Sequence, residues 1–247
     1  MKIFCWLFLS GIMIIVGATT ASADWSIDIE GGAAFSGYND VRIPGDVGTD
    51  ISLTDDLDAE TVGYFRARLT VDISQRQRLS VLVAPLRIDA TGAVNRVVDY
   101  NGVQFAAGER LNARYRFDSY RLSYSYALVQ SDRLRFDLGF TAKVRDAAIR
   151  IAGETEISEK TNTGFVPLIN FSLDWSFSDS VGLLLKGDAL AAPQGRAEDV
   201  LLALYADATD RLRLRLGYRI LEGGADNDEV YNFALVNYVA AGITWTF

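Results

Sequence analysis

From Leu212 to Ile220 the chain alternates: Leu212, Leu214, Leu216, Tyr218 and Ile220 share one face, and Arg211, Arg213, Arg215 and Arg219 share the other. A helix would scatter both sets around its circumference, whereas an extended strand sorts them to two sides. Similar alternation recurs near 25–37, 62–73, 78–90, 113–128, 133–146, 164–177, 180–190, 198–208 and 230–247. Roughly ten residues is the length a tilted strand needs to cross the hydrocarbon of a bilayer. After residue 23 no segment approaches the ~18 uninterrupted apolar residues of a spanning helix. The pattern therefore predicts an all-β fold, a transmembrane antiparallel up-and-down β-barrel of ten strands occupying residues 24–247. Eight strands is the fallback, should 180–190 and 198–208 form one long hairpin outside the membrane.

The connectors support a spanning barrel. Those at 74–77, 129–132, 178–179 and 209–210 are short and polar, while those at 38–61, 91–112, 147–163, 191–197 and 221–229 are longer and rich in Gly, Asn and Asp. Short turns on one side and long loops on the other are the habit of membrane barrels. Aromatics sort the same way. Trp25, Tyr126, Phe136, Trp175, Phe177, Trp245 and Phe247 fall at the short-turn ends, and Phe35, Phe65, Phe165, Tyr218 and Phe233 toward the long loops, which predicts two interfacial girdles. Two strands change phase, one at Pro85 and one near Ser119, and a β-bulge is expected at each. In the first long loop Pro44-Gly45 is a turn dipeptide, so that loop reads as ordered.

The N-terminus adds a processing signal. Met1-Lys2, an apolar run from Ile3 to Gly17 and the small residues Ala21-Ser22-Ala23 read as a secretory signal peptide covering 1–23. The chain's single cysteine, Cys5, lies inside the apolar run and leaves with it, so residues 24–247 have no means of forming a disulfide or a thiolate metal site. With Lys2 set aside, 23 basic residues face 32 acidic ones, which speaks against nucleic acid as a partner.

Val239, Ala241, Ile243, Trp245 and the terminal Phe247 alternate on one face of the last strand and end on an aromatic carboxy-terminus. This tract resembles the assembly signal of Gram-negative outer-membrane β-barrel proteins. The resemblance implies an outer-membrane location, contact with lipids and lipopolysaccharide, and the barrel assembly machinery as a partner during biogenesis. It points to no subfamily.

The chain contains no histidine. Barrel-borne proteases of the omptin type use an Asp-His pair, and lipid A deacylases, palmitoyl transferases and phospholipases set a histidine beside a serine, because imidazole is the natural general base near neutral pH. The sequence therefore reads as non-enzymatic, with no catalytic residue, cofactor or metal assigned. The face opposite the lipid-facing one is charged: Arg66, Arg68, Arg121, Arg135, Lys143, Arg145, Lys186, Arg213, Arg215 and Arg219 point inward with Asp28, Glu30, Asp72, Asp137, Asp174, Asp188, Asp199 and Asp207. Strand parity sets Asp207 across from Arg213 if the turn between them holds three residues. Two readings of this nearly balanced lumen stand, a structural ion-pair network and a narrow hydrated, porin-like pore lined by arginine. Acidic side chains crowd the first loop (Asp40, Asp46, Asp50, Asp55, Asp56, Asp58, Glu60) and the last (Asp226, Asp228, Glu229) without the spacing of a calcium loop. A structural or narrow-pore barrel leads. A recognition or adhesion protein acting through its loops, with small solutes or a surface ligand as partners, is the second reading, and an envelope enzyme of histidine-independent mechanism the third.

Overall fold

The computed structural model describes residues 24–192 and 195–247, so the leader expected at 1–23 lies outside the described residues. From the first strand through the second long loop the elements are β1 (Asp24–Arg42), β2 (Ile51–Ser52), β3 (Asp58–Ala59), β4 (Val62–Ser74), β5 (Gln77–Ala84), β6 (Arg87–Ala93), β7 (Val98–Tyr100) and β8 (Val103–Phe105). They are followed by β9 (Arg110–Gln130), β10 (Leu134–Ala152), β11 (Ile157–Ser176), β12 (Val181–Ala192), β13 (Gly195–Thr209), β14 (Leu212–Asp226) and β15 (Tyr231–Thr246). Antiparallel pairing runs from β10 in sequence to β15, on to β1, β4, β5 and β9, and β9 pairs back onto β10. The sheet is closed, which is how strands satisfy their backbone groups in lipid. Both β5 and β6 lie along β9, so they form one interrupted wall strand and the wall has ten. The eight-stranded alternative falls away because β12 and β13 are paired on both sides.

Within the bilayer zone the alternation sorts as expected. Leu202, Leu204, Leu214, Leu216, Val239 and Ile243 are exposed on the outer face, where lipid lies. Trp25, Tyr126, Trp175, Phe177, Trp245 and Phe247 are exposed at the turn end and Phe65, Phe165 and Tyr218 toward the loop end, giving two girdles.

Three of the expected long loops are short. Strand β10 reaches Ala152 and β11 starts at Ile157; only 193–194 separate β12 from β13; and β14 runs to Asp226 before β15 begins at Tyr231. Above the bilayer both faces of a strand can be polar, so the apolar alternation stops although the ladder continues.

The two expected bulges are also absent. Ala84 pairs with Ser119 and Arg87 with Arg116, in one register across Pro85. Strand β9 keeps an unbroken register on β10 from Asn112 to Ala127, and its irregularity falls at Leu128 beside the turn. The medium changes rather than the phase. Leu86, Ile88 and Tyr115 are buried inside the barrel, because its loop end is filled with apolar side chains.

That filling comes from the two loops that do stay long. Ile43, Ile51, Leu53 and Leu57 of the first, and Val98, Tyr100 and Phe105 of the second, pack against Leu111, Ala113, Tyr115, Ile149 and Ile151 of the wall. A bulge at Gly37 in β1 turns Val41 inward to join them. The loops are tied together by Thr49 N–H to Asp99 O at 2.9 Å and Asn101 N–H to Ile43 O at 2.7 Å, and to the wall by the Tyr100 hydroxyl donating to Ile149 O at 2.8 Å. The turn expected at Pro44-Gly45 is present, closed by Gly48 N–H on Pro44 O at 2.9 Å.

Candidate functional site

Below the plug, at mid-barrel, the inward charges meet. Asp199 on β13 accepts from Arg66 Nη2 at 2.8 Å, from Arg121 Nη2 at 2.5 Å and from Arg219. Glu30 on β1 accepts from Arg219 Nε at 2.8 Å and Nη2 at 2.9 Å, from Arg215 Nη2 at 3.1 Å and from the Tyr64 hydroxyl at 3.3 Å. Arg215 continues to Asp28, which also accepts from Thr244 at 2.6 Å. Arg121 Nη1 reaches Asp188 at 2.6 Å, and the Thr141 hydroxyl donates to the same carboxylate while lying 2.6 Å from Ser123 Oγ. Four guanidinium groups and four carboxylates from six strands thus form one neutral lattice across the lumen. Glu30, Arg66, Arg121, Asp188, Asp199, Arg215 and Arg219 are all buried. Charges so far from water persist only when paired and hydrogen-bonded, and these are.

A second tier sits at the turn end. Arg213 bridges Asp207 (2.6 Å) and Asp174, confirming the expected opposition of residues 207 and 213. Arg78 Nε is 2.6 Å from Asp72 and its Nη1 3.4 Å from Asp137, which Arg135 also holds at 2.9 Å. Sequence reasoning missed Arg78, although it shares its parity with Ser80 and so was legible as inward. It missed Tyr64, Ser123, Thr141 and Thr244 as well, since an isolated hydroxyl on an inward face carries no pattern of its own.

The remaining inward cations have no carboxylate partner among the described residues. Arg68 Nη1 donates to Ser80 Oγ at 2.9 Å, and Lys186 lines the same turn-side cavity of about 670 Å³. Lys143 and Arg145 line a separate cavity of about 590 Å³ on the loop side. Lys143 Nζ lies 4.7 Å from the centre of the Phe117 ring, and Arg145 donates to Asn162 Oδ1. The lumen is therefore divided into two chambers by the lattice.

The acidic loop residues do not gather into a site. Asp50 pairs with Arg42 at 3.1 Å. Asp56 takes both Arg96 amino groups, at 3.0 and 2.7 Å, and that bonding holds its carboxyl below the usual range. No group of acidic side chains suited to a metal ion occurs among the described residues. Val239, Ala241, Ile243 and Trp245 face outward along β15, and Phe247, just past its end, is exposed as well.

No protein-family profile matches the sequence, and no curated protein is similar to it in sequence. Among solved structures, the outer-membrane protease OmpT from Escherichia coli is 11% identical over 94% of this chain and 99% of that one, with a TM-score of 0.54. The transport unit of the autotransporter AIDA-I from Escherichia coli is 8% identical over 99% of this chain and 97% of that one, with a TM-score of 0.44. An outer-membrane channel from Pseudomonas putida is 10% identical over 95% and 98%, with a TM-score of 0.43. At such identities only the fold is shared. That fold, a closed ten-stranded antiparallel barrel with a lipid-facing belt, is that of the small β-barrels of the Gram-negative outer membrane.

Proposed function

We propose that this chain is a non-enzymatic, structural outer-membrane barrel with a sealed lumen. The observation that carries the reading is the pair of stacked closures: the apolar plug at the loop end and the neutral charge lattice beneath it. A selectivity lining needs charged groups free to meet a passing ion. Here Arg66, Arg121, Arg215 and Arg219 are each committed to carboxylates, and freeing one leaves an unpaired buried charge, at several kcal/mol. The hydroxyls of Ser123 and Thr141 end on Asp188, which Arg121 already neutralises, so this cluster reads as lattice rather than as nucleophile and base.

Planar-bilayer recording tests the proposal. Purified protein is expected to give no conductance steps, and reproducible unitary steps at moderate voltage would overturn it.

The outward stripe ending at Phe247 supports recognition by the assembly machinery. Deleting Phe247 is expected to lower severalfold the fraction of chains that reach the folded, heat-modifiable form in cells. Refolding of the same variant from urea into detergent should remain efficient. Equal yields in cells would sink the idea.

A further inference from the structure

The wall of this barrel is uneven. Strands β9, β10 and β11 stand 21, 19 and 20 residues tall, whereas β12 has 12. The β11–β12 ladder runs from Ser176–Gly182 only to Ile169–Ala189. Above it, residues 157–168 of β11 pair with β10 alone. Pro167 explains the break. It lies in register with Ala142 of β10 and has no N–H to offer a partner on its other side, so it ends the ladder toward β12. The window left in the wall is bounded below by the Ile169–Ala189 pair and bridged above by Lys160 Nζ to Glu229 at 3.6 Å. Exposed Phe165, a member of the loop-side girdle, stands at its edge, which puts the window at the level of the outer leaflet.

Behind the window lies the loop-side cavity of about 590 Å³. Tyr115, Phe117, Val166, Leu221 and Val236 give it apolar walls, and Lys143 and Arg145 supply charge. Lys143 is 2% exposed and has no ion pair among the described residues, and Arg145 Nε is buried without any acceptor. Acids at the cavity are engaged or peripheral: Glu222 takes Arg196 at 2.7 Å, Glu229 takes Lys160, and Asp228 is exposed at the rim. An apolar chamber with two cations that have no carboxylate partner, behind a break in the wall ladder, fits a ligand that is part acyl chain and part anion. Its volume suits one drug-sized molecule rather than a multi-acyl lipid.

We propose that this cavity binds a single long-chain carboxylate, which enters laterally from the outer leaflet through the window between β11 and β12 and sets its head on Lys143 and Arg145. The site is the loop-side chamber of the lumen, separated from the turn-side chamber by the charge lattice.

The test uses the full mature barrel in zwitterionic nanodiscs, a palmitate analogue bearing a photoreactive diazirine, and mass-spectrometric mapping of the labelled positions. Label is expected on Phe117, Val166, Leu221 and Val236, displaced by palmitate but not by hexadecanol or acetate. Lys143→Met with Arg145→Gln should cut cavity labelling about tenfold, the effect of losing one or two charge-assisted hydrogen bonds. Ala197→Phe, which fills the chamber from β13 and leaves the cations in place, should cut it similarly. Retained heat-modifiable mobility certifies that each variant is folded. Labelling confined to the outer belt, displacement by hexadecanol as effective as by palmitate, displacement by acetate, or indifference to the charge variant would each overturn the proposal.

Discussion

Asp199→Ala is expected to lower the unfolding free energy by about 3–5 kcal/mol, the range for stripping one partner from a buried ion pair. Asp199 is 2% exposed and receives three guanidinium groups, those of Arg66, Arg121 and Arg219. Its removal leaves those cations around a vacated position with Glu30 and Asp188 as the nearest anions. Asp199→Asn keeps acceptor oxygen but loses the charge, so its cost should be smaller. Adding Arg121→Met to Asp199→Ala restores the balance of charge and should recover part of the loss, a coupling that independent sites would not show. Urea unfolding in lipid vesicles, followed by tryptophan fluorescence, measures all four proteins. A loss for Asp199→Ala below about 1 kcal/mol would mean that the lattice is hydrated and of the surface kind.

How much of this was legible in the chain depends on where each face meets a single medium. Between the girdles every strand has lipid on one side and a polar lumen on the other, so Leu212 to Ile220 announced both the strand and the inward direction of Arg213, Arg215 and Arg219. The pairing of Arg213 with Asp207 follows from parity together with the length of the turn between them. Toward the loop end the rule fails because the interior becomes apolar. Leu86, Ile88 and Tyr115 change the phase of the apolar pattern there, which predicts bulges at Pro85 and near Ser119, whereas the ladder is regular and these side chains are buried inside. The plug residues Leu53, Leu57, Val98, Tyr100 and Phe105 lie in tracts without periodicity, and their burial depends on a fold-back that no local pattern encodes. Pro167 is a sign that the sequence does carry: a proline inside an alternating run marks a strand edge, and here that edge frames the window.

Tyr100→Ala combined with Phe105→Ala should release the β7–β8 hairpin from the mouth without melting the barrel. Both side chains are almost wholly buried, and truncating large aromatics in a packed core costs about 3–5 kcal/mol each. Tyr100 also gives up its hydrogen bond to Ile149 O. An isolated two-stranded hairpin is marginal on its own, so a loss of this size exceeds what β7 and β8 contribute and they come away together. The wall is held by a separate closed ladder and has no need of them. Trypsin should therefore cut the variant at Arg96 and spare the parent protein, while the nicked barrel keeps its heat-modifiable mobility. Conductance separates the two closures. With the hairpin gone the charge lattice still spans the lumen, so the variant should remain silent in a planar bilayer, and steps should appear only when Asp199→Ala is added. Steps from the hairpin variant alone would show that the lattice lets ions through and that the plug is the one seal.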